Sequence, residues 1–181
     1  MKRRVCAFLL ALAAADTSTG SAPAVTESAV KAAFLCGFAE FVEWPGAPAG
    51  DPLVIGILGE DPFGALLDET VKNRALQNKP LALKRVHTVE DAAHCQIVYV
   101  SASEKRNLDS ILRALAKASV LTVSDIDGFA ERGGVIGFVT EQQRVRFHIN
   151  VEAADRAGLQ ISSRLLKLAR IVSTESRSGA R

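Results

Sequence analysis

Apolar residues recur every three to four positions between Val30 and Val42, at Val30, Ala33, Phe34, Gly37, Phe38, Phe41 and Val42. This spacing predicts one broad face of an amphipathic helix. Thr26, Glu27 and Ser28 offer N-cap chemistry, and Trp44-Pro45 ends the run because a residue before proline avoids the α region. The runs that follow differ in kind. Residues 53–58, 96–100 and 120–124 are short and nearly continuous in apolar character, as in strands buried on both faces, and residues 81–86 read as a further strand. Between them lie helical patterns at 65–71, a single turn at 89–93, and 104–118 with Leu108, Ile111, Leu112 and Leu115 inward. Strands alternating with helices argue for a mainly parallel sheet with right-handed crossovers.

The pattern changes after Asp125. Residues 125–134 form a loop rich in Gly and Asp, and residues 135–140 and 144–150 flank Glu141-Gln142-Gln143 as an antiparallel hairpin. The second strand alternates strictly: Arg144, Arg146, His148 and Asn150 on one face, Val145, Phe147, Ile149 and Val151 on the other. Asn150 is placed to cap a helix over 151–157, and Gly158 to end it. Residues 159–172 predict a last helix with Leu165, Leu166, Leu168, Ala169 and Val172 apolar. The expectation is therefore one α/β domain over residues 26–172. It has a mainly parallel sheet flanked by helices, a C-terminal antiparallel hairpin and a terminal helix, with residues 173–181 as a disordered tail.

A chain of 181 residues with 48% hydrophobic and 23% charged residues suits one globular domain of ordinary size. Its first residues stand apart. Lys2-Arg3-Arg4 precede an apolar run over 5–15 that is too short to cross a bilayer, and small residues follow, so residues 1–22 read as a cleaved secretory signal peptide. The leader also changes the charge balance. Lys2, Arg3, Arg4 and Asp16 all fall within it, which leaves the remainder of the 22 basic and 20 acidic residues in balance and gives no sign of a nucleic-acid partner. Cys36 and Cys95 lie far apart without a CxxC, so export permits a disulfide between them without requiring one.

Local motifs for catalysis are absent. Gly59 and Gly64 have the spacing of a phosphate loop but lack the Lys-Ser/Thr that follows it, and an ordinary βα turn accounts for them. His87, His94 and His148 share no metal-ligand spacing, so no metal, cofactor or catalytic residue is expected. Asp125 and Asp127 sit at a strand end, where α/β sites occur, although turn-forming is the commoner role of such residues. The best binding candidates are Arg146, His148 and Asn150. Side chains two apart on one strand face can clasp a planar or anionic group, although the same face also fits a solvated outer strand. Trp44, the single tryptophan, is either a structural plug or a surface contact.

Several blocks together resemble the YfiR family of periplasmic proteins. They are Ala32-Ala33-Phe34 leading into residues 38–45 (FAEFVEWP), Ile57-Leu58-Gly59 with Asp61-Pro62-Phe63-Gly64, residues 95–99 (CQIVY), and residues 120–124 with Gly128-Phe129 and Gly133-Gly134. The most specific come last: residues 145–150 (VRFHIN), Ala157-Gly158-Leu159 and residues 162–169 (SSRLLKLA). The resemblance implies a periplasmic, non-enzymatic repressor. It would bind the periplasmic domain of an inner-membrane diguanylate cyclase and so lower cyclic di-GMP and biofilm formation. It would form a homodimer, and an OmpA-like outer-membrane lipoprotein could sequester it. Its recognition surface would combine the Arg146/His148 strand with Ser163, Leu165 and Leu166. A small-ligand-binding periplasmic sensor is the alternative. One departure stands out: the family's usual cysteine on the first strand, partner of the cysteine matching Cys95, is Gly56 here. That bridge cannot form, and at least one free thiol is expected.

Overall fold

A computed structural model describes residues 26–45, 51–72, 75–76 and 79–174. The predicted leader lies outside the described residues, as does the predicted tail beyond Thr174. Helix α1 (Glu27–Phe38) is capped by Thr26, whose Oγ1 accepts from the Ala29 amide at 3.2 Å. It ends well before Trp44-Pro45, correcting the longer helix expected. Phe41 and Val42 keep helical spacing but are held by strand pairing: β1 (Val42–Glu43) lies antiparallel to β9 (Gln160–Ile161), and the Ser162 amide donates to the Phe41 carbonyl at 2.8 Å.

The remaining elements are β2 (Leu53–Leu58), α2 (Ala65–Lys72), β3 (Ala75–Leu76), β4 (Lys79–Val86), α3 (Val89–Ala92), β5 (Ile97–Val100), a 3-10 turn (Ala102–Glu104), α4 (Leu108–Leu115), β6 (Leu121–Ser124), β7 (Ile136–Glu141), β8 (Arg144–Asn150), α5 (Val151–Arg156), α6 (Ser163–Leu166) and β10 (Arg170–Val172). One sheet of eight strands runs in the order β10-β8-β7-β6-β5-β2-β4-β3. Pairing is parallel from β7 through β4 and again between β10 and β8, and antiparallel in the β7–β8 hairpin and between β4 and β3. The mixed, mainly parallel α/β domain with its C-terminal hairpin is as the sequence predicts.

The central strands are covered on both faces, which is why they read as unbroken apolar runs. Ile55, Ile57, Ile97 and Tyr99 join the core under α1 and α2, while Val98, Val100 and Leu58 pack with Leu108, Ile111, Leu112 and Leu115 of α4. The hairpin turns through Gln142 and Gln143, both left-handed at φ 48° and 60°, so this is a two-residue turn of the type that matches strand twist. Asn150 caps α5 through Oδ1, which accepts from the Ala153 amide at 2.9 Å, and Gly158 follows at φ +70°.

Two further expectations fail. The helix over 104–118 is shorter, because Lys105, Arg106 and Asn107 have no apolar side chain to anchor a first turn and the chain passes through the 3-10 turn instead. The predicted terminal helix is broken into β9, one turn of α6 and β10. The outer edge of β8 exposes backbone donors and acceptors that need partners, and Arg170–Val172 meet them in parallel register, Ile171 beside Ile149. The β-branched pair Ile171-Val172 suits that strand better than a helix end.

Candidate functional site

In an open α/β sheet the usual ligand crevice lies at the carboxyl ends of strands where the strand order reverses, here β2 and β5. In this protein the crevice is filled by its own chain. Gly59 has φ +92°, a side chain there would run into Ser103, and the Glu60 amide donates to Ser103 Oγ at 3.0 Å. The amides of Phe63 and Gly64, which a phosphate loop would aim at its ligand, donate to Asp61 Oδ1 at 2.8 and 3.1 Å. Arg85 then bridges Asp61 and Asp68, each at 2.7 Å. Its hydrogen bonds to Asp68 and Asp61 hold the guanidinium firmly protonated, and Arg85 holds the Asp68 carboxyl below its usual range. The βα turn is thus occupied by internal carboxylates.

Asp125, at the end of β6, anchors α1. Lys31 Nζ lies 2.8 Å from Asp125 and 2.7 Å from Glu27. Burial works to lower the Lys31 pKa, but the hydrogen bonds to Asp125 and Glu27 outweigh it and raise it. The Lys31 hydrogen bond in turn lowers Glu27. Tyr99 is buried against Phe63, and burial, then the Asp125 charge, pushes its phenol upward. Trp44 is half-buried on the core, its Nε1 donating to the Gln96 carbonyl at 3.1 Å.

The three candidates on β8 share a face but not an environment. Arg146 is exposed. His148 is mostly buried, with Nδ1 2.9 Å from Glu131 Oε1 of the preceding loop, while its Nε2 is buried without a hydrogen-bond partner. Asn150 is fully buried: Nδ2 donates to the Ala130 carbonyl at 2.8 Å and to Thr174 Oγ1 at 2.9 Å, and Oδ1 caps α5. Its amide is engaged inside the fold. Arg146 and His148, with Glu141, Leu168 and Arg170, line a cleft of about 280 Å³.

On α6, Ser163 is exposed, Leu166 half-buried and Leu165 buried in the core. The large apolar side chains left in the open among the described residues are Leu168, which the sequence reading placed on the apolar face of a last helix, and Ile171, which it did not name. Leu165 and Leu168 line an apolar groove of about 410 Å³ against α1, with Phe34, Phe38, Phe41 and Phe147. Glu131 and Arg170 were also missed, because only the tertiary fold brings them beside His148, Arg170 by the β10–β8 pairing and Glu131 from the loop between β6 and β7. Cys36 and Cys95 are buried and not joined in a disulfide, and burial raises the Cys95 thiol. A Cβ placed on Gly56 would lie 3.4 Å from that of Cys95. Among the described residues no cluster of His, Cys, Asp or Glu could hold a metal ion, and no helix is long and apolar enough to cross a membrane.

The loops after β2 and β5 thus meet at the strand-end crevice, and the exposed Leu168 and Ile171 lie at the β10 edge of the sheet. Residues 28–170 match the YfiR/HmsC-like family, and the chain belongs to it. This is a family of periplasmic regulatory proteins that act with membrane diguanylate cyclases. Among solved structures, the chain is similar to a conserved domain protein from Vibrio cholerae O1 biovar El Tor, with 15% identity and TM-score 0.48 over 66% of this chain and 54% of that one. It is also similar to the ABC domain from Streptococcus pneumonia in complex with L-Trp, with 13% identity and TM-score 0.47 over 66% and 55%. The chain spans about half the length of either structure.

Proposed function

We propose that this protein is a periplasmic repressor that binds the periplasmic domain of an inner-membrane diguanylate cyclase and lowers cyclic di-GMP and biofilm formation. The observation that carries this reading is the family match, which runs from α1 to the first residue of β10 and so takes in nearly the whole described domain. Homodimerisation and sequestration by an OmpA-like outer-membrane lipoprotein belong to the same reading. Deleting the gene should raise cyclic di-GMP, and the tagged protein should co-purify a membrane cyclase. Unchanged cyclic di-GMP, with no cyclase in the eluate, would overturn it.

A second reading, a small-ligand sensor, draws on the buried, unpartnered Nε2 of His148 in the cleft shared with Arg146. With Nδ1 donating to the Glu131 carboxylate, Nε2 of the neutral ring is an acceptor; a buried polar atom without a partner is costly, and a ligand N–H or O–H donor would satisfy it. Anionic or aromatic metabolites should raise the melting temperature, and the Arg146→Ala variant should lose that rise. No shift across such a panel would remove this reading. The two are compatible, since a ligand favouring one conformation can bias partner binding.

A further inference from the structure

Leu168 and Ile171 stand in the open on one short segment at the outer edge of the sheet. The chain around them is predominantly cationic. Residues 141–151 and 157–174, joined through the β8–β10 pairing, hold Arg144, Arg146, Arg164, Lys167 and Arg170 against a single carboxylate, Glu141. All five cations are exposed, and none forms an ion pair among the described residues, whereas Lys31, Arg85 and Arg132 are each matched to aspartate. Leu168 is the wall between two cavities. On one side is the apolar groove of about 410 Å³ floored by Phe34, Phe38 and Phe147, with Glu40 in its lining; on the other is the cleft lined by Arg146, His148 and Arg170 against Glu141.

We propose that this edge docks an acidic amphipathic helix of a partner protein, its apolar side chains in the groove beside Leu168 and its carboxylates over Arg146, Lys167 and Arg170. The proposal rests on the reading of this chain as a partner-binding regulator and adds the surface and the chemistry it selects. Charge decides against a second copy, because a two-fold contact would bring unpaired cations face to face, and like-charge juxtaposition is strongly unfavourable. Shape decides against a lipid surface: the apolar area is a concave groove between α1 and α6, which side chains of a helix can fill and a bilayer surface cannot. The exposed cations would steer encounter, so binding should weaken as salt shortens the screening length.

The test uses purified protein and a synthetic amphipathic helix with leucines on one face and glutamates beside them, together with a copy carrying lysine for glutamate. The glutamate peptide should bind and the lysine copy should not. Affinity should fall about tenfold or more in Leu168→Ser, in the Lys167→Gln/Arg170→Gln double variant, and on raising salt. These positions are exposed, so the variants should keep the parent melting temperature. Equal binding of the two peptides, no binding, or binding indifferent to both variants would overturn the proposal. So would variant-sensitive co-sedimentation with phosphatidylglycerol vesicles, which would assign the edge to lipid, or a dimer that both variants dissociate, which would assign it to a second copy. If the peptides discriminate while no cyclase co-purifies, the regulatory reading fails and the docking surface stands.

Discussion

Leu165 and Leu168 lie three residues apart and line the same groove, yet Leu165 is 2% exposed and Leu168 is 65% exposed. The first belongs to the core beneath α1 and the second to the surface. Leu165→Ala should therefore cost about 2–5 kcal/mol in urea unfolding, as a core truncation does. Leu168→Ala should change stability by no more than about 0.5 kcal/mol. Equal effects would contradict the division between core and docking surface.

Asn150 should behave as a structural residue. Its replacement by Ala removes the α5 cap and strands the buried Ala130 carbonyl, together about 2–4 kcal/mol. Thermal unfolding should show a fall in Tm of roughly 5–15 °C. Asn150→Asp keeps an acceptor for the Ala153 amide but loses the donor to Ala130, so it should recover only part of the loss.

Gly56 and Cys95 are placed for a bridge that this chain does not make. A Cβ placed on Gly56 lies 3.4 Å from that of Cys95, just short of the roughly 3.5–4.5 Å that a disulfide spans, so a small outward shift would seat the bond. Gly56→Cys, oxidised, should form a bond to Cys95 and stabilise the fold by up to about 4 kcal/mol on the chain-entropy account. Thiol titration in denaturant, on protein lacking the leader, should then find Cys36 alone, whereas the parent yields both Cys36 and Cys95. A variant that titrates like the parent with an extra thiol would show that the strands do not approach as described.

Alkali should destabilise the protein in a defined way. Burial raises the Cys95 thiol, and burial followed by the Asp125 charge raises Tyr99. For both, the folded state favours the neutral form, so the contribution is present below the ordinary pKa and lost as pH rises above it. Lys31 adds to this, because its raised pKa favours the folded cation and that contribution also fades above its ordinary range. Unfolding free energy should decline from about pH 9, and Tyr99→Phe should flatten the slope above about pH 10 by up to about 1.4 kcal/mol per pH unit. On the acid side, Glu27, lowered by the Lys31 hydrogen bond, contributes stability present above the ordinary carboxylate pKa and lost as pH falls through its folded value. A slope unchanged by Tyr99→Phe would show that the phenol is not held as described.

Local signals carried much of the fold. The unbroken apolar runs of β2, β5 and β6, the alternation of β8 and the Asn150 cap were all legible, because each follows from neighbours a few residues apart. Residues 159–172 were not. Their apolar spacing fits a helix, and only the open edge of β8 turns Arg170–Val172 into a strand. Phe41 and Val42 misled for the same reason, since burial against β9 left the same apolar residues that a helix face would.

The candidate site divides along that line. The sequence alone determined that Arg144, Arg146 and His148 share one strand face, since a period of two is a property of the extended backbone. It also determined that a single carboxylate, Glu141, accompanies the cations of residues 141–151 and 157–174. Only the tertiary structure decided which of these groups meet solvent. It buried Asn150 and Leu165, set Glu131 and Arg170 beside His148, and left Leu168 and Ile171 open. Burial and long-range pairing depend on which strand lies at the edge of the sheet, and no local pattern in the chain specifies that.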